Sequence, residues 1–229
     1  MNTLLDENFS QVYRPLAADF ANAVSEINCK DEVLEPFLPL YGPLYETADT
    51  RIVFVGIETK GWGSLNGFVT QALQNPESAL FRHSDVFDEL LFCKEIWGNN
   101  FGTGFWDFIF KFLAKFYCIE DWKQLKQGQH PEILQSFAWA NTNAVERHHV
   151  TAEKHGLSKQ QWDIIKTASK PFDRAKHMID ALQPHLMIIL SWNTPDEWLT
   201  DDTGPIEPVN KIETYLYHYY LSDTNTNVL

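Results

Sequence analysis

Three places in the 229-residue chain set hydrogen-bonding or ionisable side chains at the ends of apolar runs. The first is "RIVFVGIETKGWGS" (51–64), where the apolar run stops at Gly56 and Glu58 follows, with Gly61 and Gly63 on either side of Trp62. A carboxylate just beyond a strand end can orient or activate a water. Gly56 would let the chain turn and a ligand come close. The structural alternative is that Glu58 caps the following helix or pairs with Lys60. The glycine spacing is neither that of a P-loop nor that of a dinucleotide fingerprint. The second place is "ANTNAVE" (140–146), where Asn141 and Asn143 flank Thr142. A side-chain amide offers both donor and acceptor, which suits the edge of a nucleobase or a peptide group. Asn141 is read as satisfying its own loop, leaving Asn143 as the candidate. The third is "SWNTPDEW" (191–198), where Ser191 and Trp192 end a run, and Trp192 either stacks on a base or closes the core. His148 and His149 are adjacent and lack metal-site spacing, so no metal is expected.

The elements that must position these groups follow from periodicity. Residues 9–29 carry Val12, Leu16, Phe20, Val24 and Ile27 at helical spacing, and Pro15 suggests that the helix begins there. Pro36, Pro39 and Pro43 predict a packed loop after it. "IVFVGIE", "SFAWANTNAV" and "HLMIILSW" read as buried strands, and "IETYLYHYYL" (212–221) as a fourth. Between them, "GFVTQALQNP", "DVFDELLFCKEIW" and "FWDFIFKFLAKF" predict helices, as does the region from Ser158 through "DRAKHMIDAL", broken at Pro171. In "FWDFIFKFLAKF" the spacing puts Phe105, Phe108, Ile109, Phe112, Leu113 and Phe116 on one face, read as a core face in preference to a platform for bases. Strands alternating with helices predict an α/β/α sandwich around a mostly parallel, four-stranded sheet. In such folds ligands bind off the carboxyl ends of the strands, where the three candidate places fall.

Taken together, the three strand ends resemble those of the uracil-DNA glycosylase superfamily. Gly56-Ile57-Glu58 is similar to the family's glycine followed two residues later by a water-activating acid or amide. Asn143-Ala144-Val145 is similar to its uracil-binding Asn-Ala-Val, and "ILSWN" to its third strand end. The resemblance spans roughly residues 51–198 and implies hydrolysis of the N-glycosidic bond of a flipped uracil or damaged base. It implies that Glu58 holds the water and Asn143 reads the base. Gly56, Trp62, Ser191 and Trp192 would line the pocket. Two departures stand out. Thr59 and Lys60 replace the proline and aromatic residue usual after the acidic position, and the His-Pro-Ser-type loop after the fourth strand has no counterpart. His218 is the candidate left for its role, so the expected activity is weak or absent. A non-catalytic member of the fold, binding a nucleotide, a nucleic acid or a protein, is the alternative. A hydrolase of some unrelated small molecule is a third reading.

Composition bounds these readings. The length suits one domain, 1–229, with a helical extension over about 1–50. The net charge is −13 and unevenly spread: residues 1–50 hold 2 basic and 9 acidic residues, residues 51–190 hold 15 of each, and the last 39 hold 1 and 7. That argues against tight non-specific DNA binding and leaves room for a site taking one extruded base. Cys29, Cys93 and Cys118 are odd in number and read as free thiols of a cytoplasmic protein. The first ten residues do not read as a signal peptide, and no apolar stretch has spanning length. No cofactor is expected. DNA or a nucleobase-containing ligand is the expected partner, with no membrane.

Overall fold

The computed structural model describes residues 4–27, 34–57, 62–77, 79–80, 103–146, 156–190, 198–199, 208–213 and 216–229. The expected helix at "DVFDELLFCKEIW" lies outside them. Among the described residues, seven strands form one mixed sheet: β1 (Leu40–Tyr41), β2 (Ile52–Gly56), β3 (Phe137–Asn141), β4 (Leu186–Ile189), β5 (Asn210–Glu213), β6 (Leu216–Leu221) and β7 (Thr226–Val228). Their order is β1-β3-β2-β4-β7-β6-β5. The neighbours β3, β2, β4 and β7 run parallel, while β1 is antiparallel to β3, and β6 is antiparallel to both β7 and β5.

The four-stranded expectation is therefore corrected to a seven-stranded mixed sheet. "IETYLYHYYL" does not supply the fourth parallel strand; it divides between β5 and β6, and Thr226–Val228 takes that place. The reason is connection length. Only four residues, Ser222 to Asn225, separate β6 from β7, with Asn225 in the left-handed region at φ 54°. So short a link joins antiparallel neighbours only, since a parallel pair needs a crossover of a dozen residues or more.

Both faces of the central strands are covered, which explains their unbroken apolar runs. Val53, Val55, Ala138, Ala140 and Met187 pack into a core with α1 (Leu4–Val24), α2 (Leu65–Gln74), α6 (Lys159–Ser169) and α7 (Ala175–Leu182). Ile52, Phe54, Phe137, Trp139 and Ile188 face the other way. They meet α3 (Thr103–Phe116), α4 (Lys123–Lys126) and α5 (Pro131–Leu134).

Two helix expectations shift. Helix α1 starts at Leu4, with Pro15 inside it, because Leu5, Phe9, Tyr13, Ala17, Phe20 and Val24 bury one continuous stripe. That burial outweighs the hydrogen bond lost at Pro15, since helix stability in proteins comes mainly from packing. Helix α3 is a core helix, but its inner face is Trp106, Ile109, Phe110, Leu113 and Ala114, and Phe108 and Phe116 are exposed. The break at Pro171 is a 3-10 turn, Lys170–Asp173, and α6 opens with a capping box between Ser158 and Gln161.

Candidate functional site

The carboxyl ends of β2, β3 and β4 lie side by side, as the strand pairing demands. Gly56 is in register with Asn141, and the pairing runs past the strands: the Thr142 N–H donates to the Gly56 carbonyl (2.9 Å) and the Asn143 N–H to the Ile57 carbonyl (2.8 Å). The Thr142 hydroxyl adds a bond to the Ile57 carbonyl at 3.2 Å. On the other side the Leu190 N–H donates to the Val55 carbonyl at 2.8 Å.

Gly56 is a glycine because there is no room for more. A Cβ there would lie 2.8 Å from Asn141 Oδ1 and 3.2 Å from Phe105 Cε2. Its backbone is not among those with positive φ, so packing and not a special turn selects it. The side chain it accommodates, Asn141, is only 4 % exposed, and among the described residues its Nδ2 has no hydrogen-bond partner. Leaving such a donor unpaired costs about 1–3 kcal/mol. A bound acceptor would relieve that cost.

Around this amide, on the α3 face of the sheet, stands an aromatic wall. The ring centroids of Phe105 and Trp139 are 6.4 Å apart, those of Trp106 and Trp139 4.9 Å, and those of Phe37 and Trp139 4.7 Å. Trp62 packs edge-on against Phe37 at 4.9 Å and against Trp139 at 6.5 Å. Edge-to-face pairs of this kind hold their geometry by quadrupole attraction as well as burial.

The loops are held from behind. The Ala144 N–H donates to Asp173 Oδ1 (2.7 Å), and the Ala144 carbonyl accepts from the Phe37 N–H (2.7 Å). The Trp198 indole N–H donates to the Asp173 carbonyl. Glu35, 3 % exposed, receives the Ser64 N–H on Oε2 at 2.9 Å, and its own N–H donates to the Trp62 carbonyl at 3.3 Å.

Of the site residues expected from sequence, Gly56, Trp62 and Asn143 therefore gather at the ends of β2 and β3. Asn143 is half-buried, two residues outward from Asn141. Glu58, Ser191 and Trp192 lie outside the described residues. His218 stands apart on β6, separated from β2 by β4 and β7, about 14 Å at roughly 4.8 Å per strand. Its Nε2 is 3.0 Å from Asn227 Oδ1 and its Nδ1 3.4 Å from Asn210 Nδ2. These two contacts let the imidazole bridge β5, β6 and β7.

Asn141, Glu35 and Asp173 were not expected at the site. Asn141 was visible as the last polar residue of the strand, where alternation would set it on the face of Phe137 and Trp139. Glu35 and Asp173 reach the site only through the tertiary fold. The described residues contain no cluster of three or more His, Cys, Asp and Glu able to hold a metal, and no helix long and apolar enough to cross a membrane. Compared with known protein families, curated proteins and solved structures, the chain matches none.

Proposed function

We propose that this protein is a divergent uracil-DNA glycosylase-like protein whose crevice, at the ends of β2 and β3, receives an extruded nucleobase. On this reading the mixed sheet with helices against both faces is the family's three-layer sandwich, extended at both edges. The observation that carries the proposal is the buried Asn141 amide, with an unpaired Nδ2 donor beside Gly56 and an aromatic wall. A donor in that position suits a base carbonyl, and the surrounding rings suit a flat heterocycle. The favoured bases are thus those with an exocyclic oxygen, uracil or hypoxanthine, over those with an exocyclic amine. Asn143 stands at the mouth, where it meets the base edge or the sugar, and Trp62 closes one side.

The reaction would be hydrolysis of the N-glycosidic bond. Water adds at the anomeric carbon, the base leaves with the bonding electron pair, and the water's proton passes to Glu58, the residue that the resemblance assigns to it. Unstacking the nucleotide costs a few kcal/mol. The departing base anion is stabilised best by a positioned donor, and losing one typically costs about 3 kcal/mol, or roughly a hundredfold in rate. His218, bonded to Asn210 and Asn227 across the sheet, is too distant for that role. Slow turnover is expected for that reason. The same observation favours the second reading, a member of the fold that binds a base without cleaving it.

Incubation with single- and double-stranded DNA carrying uracil or hypoxanthine, followed by detection of abasic sites, tests the reaction. Excision abolished by Glu58→Gln and weakened by Asn141→Leu supports the glycosylase. Tight binding of the same DNA with no abasic product supports the binding protein. Excision that survives both substitutions contradicts the site.

A further inference from the structure

The segment Leu34–Phe37 lies far from the strand ends in sequence yet touches both loops that form the crevice. Leu34 bridges Trp62 as a short parallel pair. The Glu35 N–H donates to the Trp62 carbonyl (3.3 Å), and Glu35 Oε2 accepts the Ser64 N–H (2.9 Å) just ahead of α2. Two residues on, the Phe37 N–H donates to the Ala144 carbonyl (2.7 Å), and the Phe37 ring packs on Trp62 and Trp139. One short strap thus ties the loop after β2 to the loop after β3.

Glu35 is its charged member, and the chain is shaped around that charge. The carboxylate is 3 % exposed, and burying it is costly unless hydrogen bonds and favourable charge offset the loss of water. The positive end of α2 contributes to both, through the Ser64 N–H and the helix dipole. The Ser64 hydroxyl caps the same helix by accepting the Gly67 N–H at 3.2 Å, so the residue's two polar groups have separate tasks. Gly63 adopts a left-handed backbone, φ 53°, and a Cβ on it would collide with Glu35 Oε2. A simple surface cap would need neither the burial nor the glycine.

We infer that Glu35 is a positioning residue for the crevice: its carboxylate fixes the Trp62–Ser64 turn, and through it the aromatic side of the base pocket. The ligand part of this inference rests on the base-binding reading above. Glu35 does not touch the base. It sets where Trp62 stands relative to Asn141, so its loss acts on affinity through the loop.

The test compares the full chain with Glu35→Ala and Glu35→Gln in two measurements: amide hydrogen exchange at Ser64, and affinity for a single-stranded oligonucleotide containing deoxyuridine. In Glu35→Ala, faster exchange at Ser64 and an affinity loss of about tenfold are expected, the size of one charge-assisted hydrogen bond. Glu35→Gln keeps an acceptor for the Ser64 N–H and should restore most of both. Exchange at buried amides of β2 and β4 separates a loosened loop from general unfolding, and stays slow if the inference holds. Unchanged Ser64 exchange in Glu35→Ala, or a Gln variant as impaired as the Ala variant, overturns it. If the unsubstituted protein fails to bind the oligonucleotide, the base-binding reading falls, and Ser64 exchange alone then decides the role of the strap.

Discussion

The two ends of the parallel strands differ in how their polar groups are satisfied. At the amino end there is a cavity of about 780 Å³, lined among others by Asp49, Cys118, Glu120, His130 and Glu132. Much of the polar chemistry there closes on itself. His130 Nε2 is 3.2 Å from Gln124 Oε1, His130 Nδ1 is 3.4 Å from a Glu132 oxygen, and the Ser136 hydroxyl donates to the Ile133 carbonyl at 2.8 Å. Beside it, the Arg51 Nε–H donates to the Gln183 carbonyl (2.7 Å) and the Arg51 backbone N–H to His185 Nδ1 (3.2 Å). At the carboxyl end, among the described residues, Thr142, Asn143 and Leu190 donate their backbone N–H groups to neighbouring strand ends, but the buried Asn141 amide at the end of β3 keeps an unpaired donor. A buried donor that the fold leaves unpaired is a better indication of a ligand, because it makes the unliganded state the costly one.

The strongest way to break this contrast is at Gly63. Gly63→Ala forces a left-handed alanine against the Glu35 carboxylate. It should cost about 3 kcal/mol, lowering the melting temperature by roughly 9 °C for a chain of this size. Base binding should fall with it, and a thermal melt followed by circular dichroism checks the first part. A sharper test separates binding from stability. Asn141→Leu removes the unpaired amide for an apolar side chain of similar size, so stability should stay level or rise by about 1 kcal/mol in a urea titration. Affinity for a uracil-containing oligonucleotide should drop about tenfold in the same variant. A destabilised Asn141→Leu protein would mean that the amide serves the fold.

His218 provides the opposite control. His218→Gln gives up the bridge to Asn227 and Asn210, costing about 1 kcal/mol of stability while leaving base affinity unchanged. Loss of affinity in that variant would return His218 to the site. The smallest effect is expected at His185, whose pKa is lowered by desolvation first and by the Arg51 charge second. Its Nδ1 accepts the Arg51 N–H, which needs the neutral ring. With the folded pKa depressed, the unfolded chain binds the proton more readily. The stability from the neutral ring is therefore full above the usual histidine pKa of about 6.5 and is lost as pH falls from there toward the lower folded value. His185→Gln should flatten that slope in melts run across the acidic range.

Sequence patterning carried the central architecture well. "IVFVG", "FAWAN" and "LMII" are apolar on both faces and sit where their composition puts them, as do α2, α3 and the broken helix around Pro171. The errors share one physical origin, in that tertiary packing overrode a local signal. Pro15 looked like a helix start because a proline is costly inside a helix, yet the stripe from Leu5 to Val24 is long enough to carry it. The phase of α3 is not legible in its sequence because most positions are apolar, so the period alone does not choose between Phe108 and Trp106 for the inner face. The fourth parallel strand is hidden in the sequence because β7 has only three residues and reads as a polar tail. Of the candidate site residues, Gly56 and Trp62 can be singled out from spacing alone. Turn chemistry, which favours asparagine satisfying its own loop, points to Asn143, whereas strand alternation sets Asn141 on the face of Phe137 and Trp139. Glu35 could not have been found from sequence, since its contacts depend on how a proline-spaced segment folds back onto a strand end.

The central claim is that the Asn141 amide receives a base, and the measurement closest to it is the resonance of that amide. The side-chain NH₂ of Asn141 in ¹⁵N-labelled protein can be assigned by its absence in Asn141→Leu and followed while a deoxyuridine-containing oligonucleotide is added. A saturable shift of the Asn141 Nδ2 signals, with Trp62 and Phe105 responding in step and the His130 and Glu132 region unmoved, is the predicted result. An Asn141 signal that stays fixed while the oligonucleotide binds elsewhere, or not at all, contradicts the account.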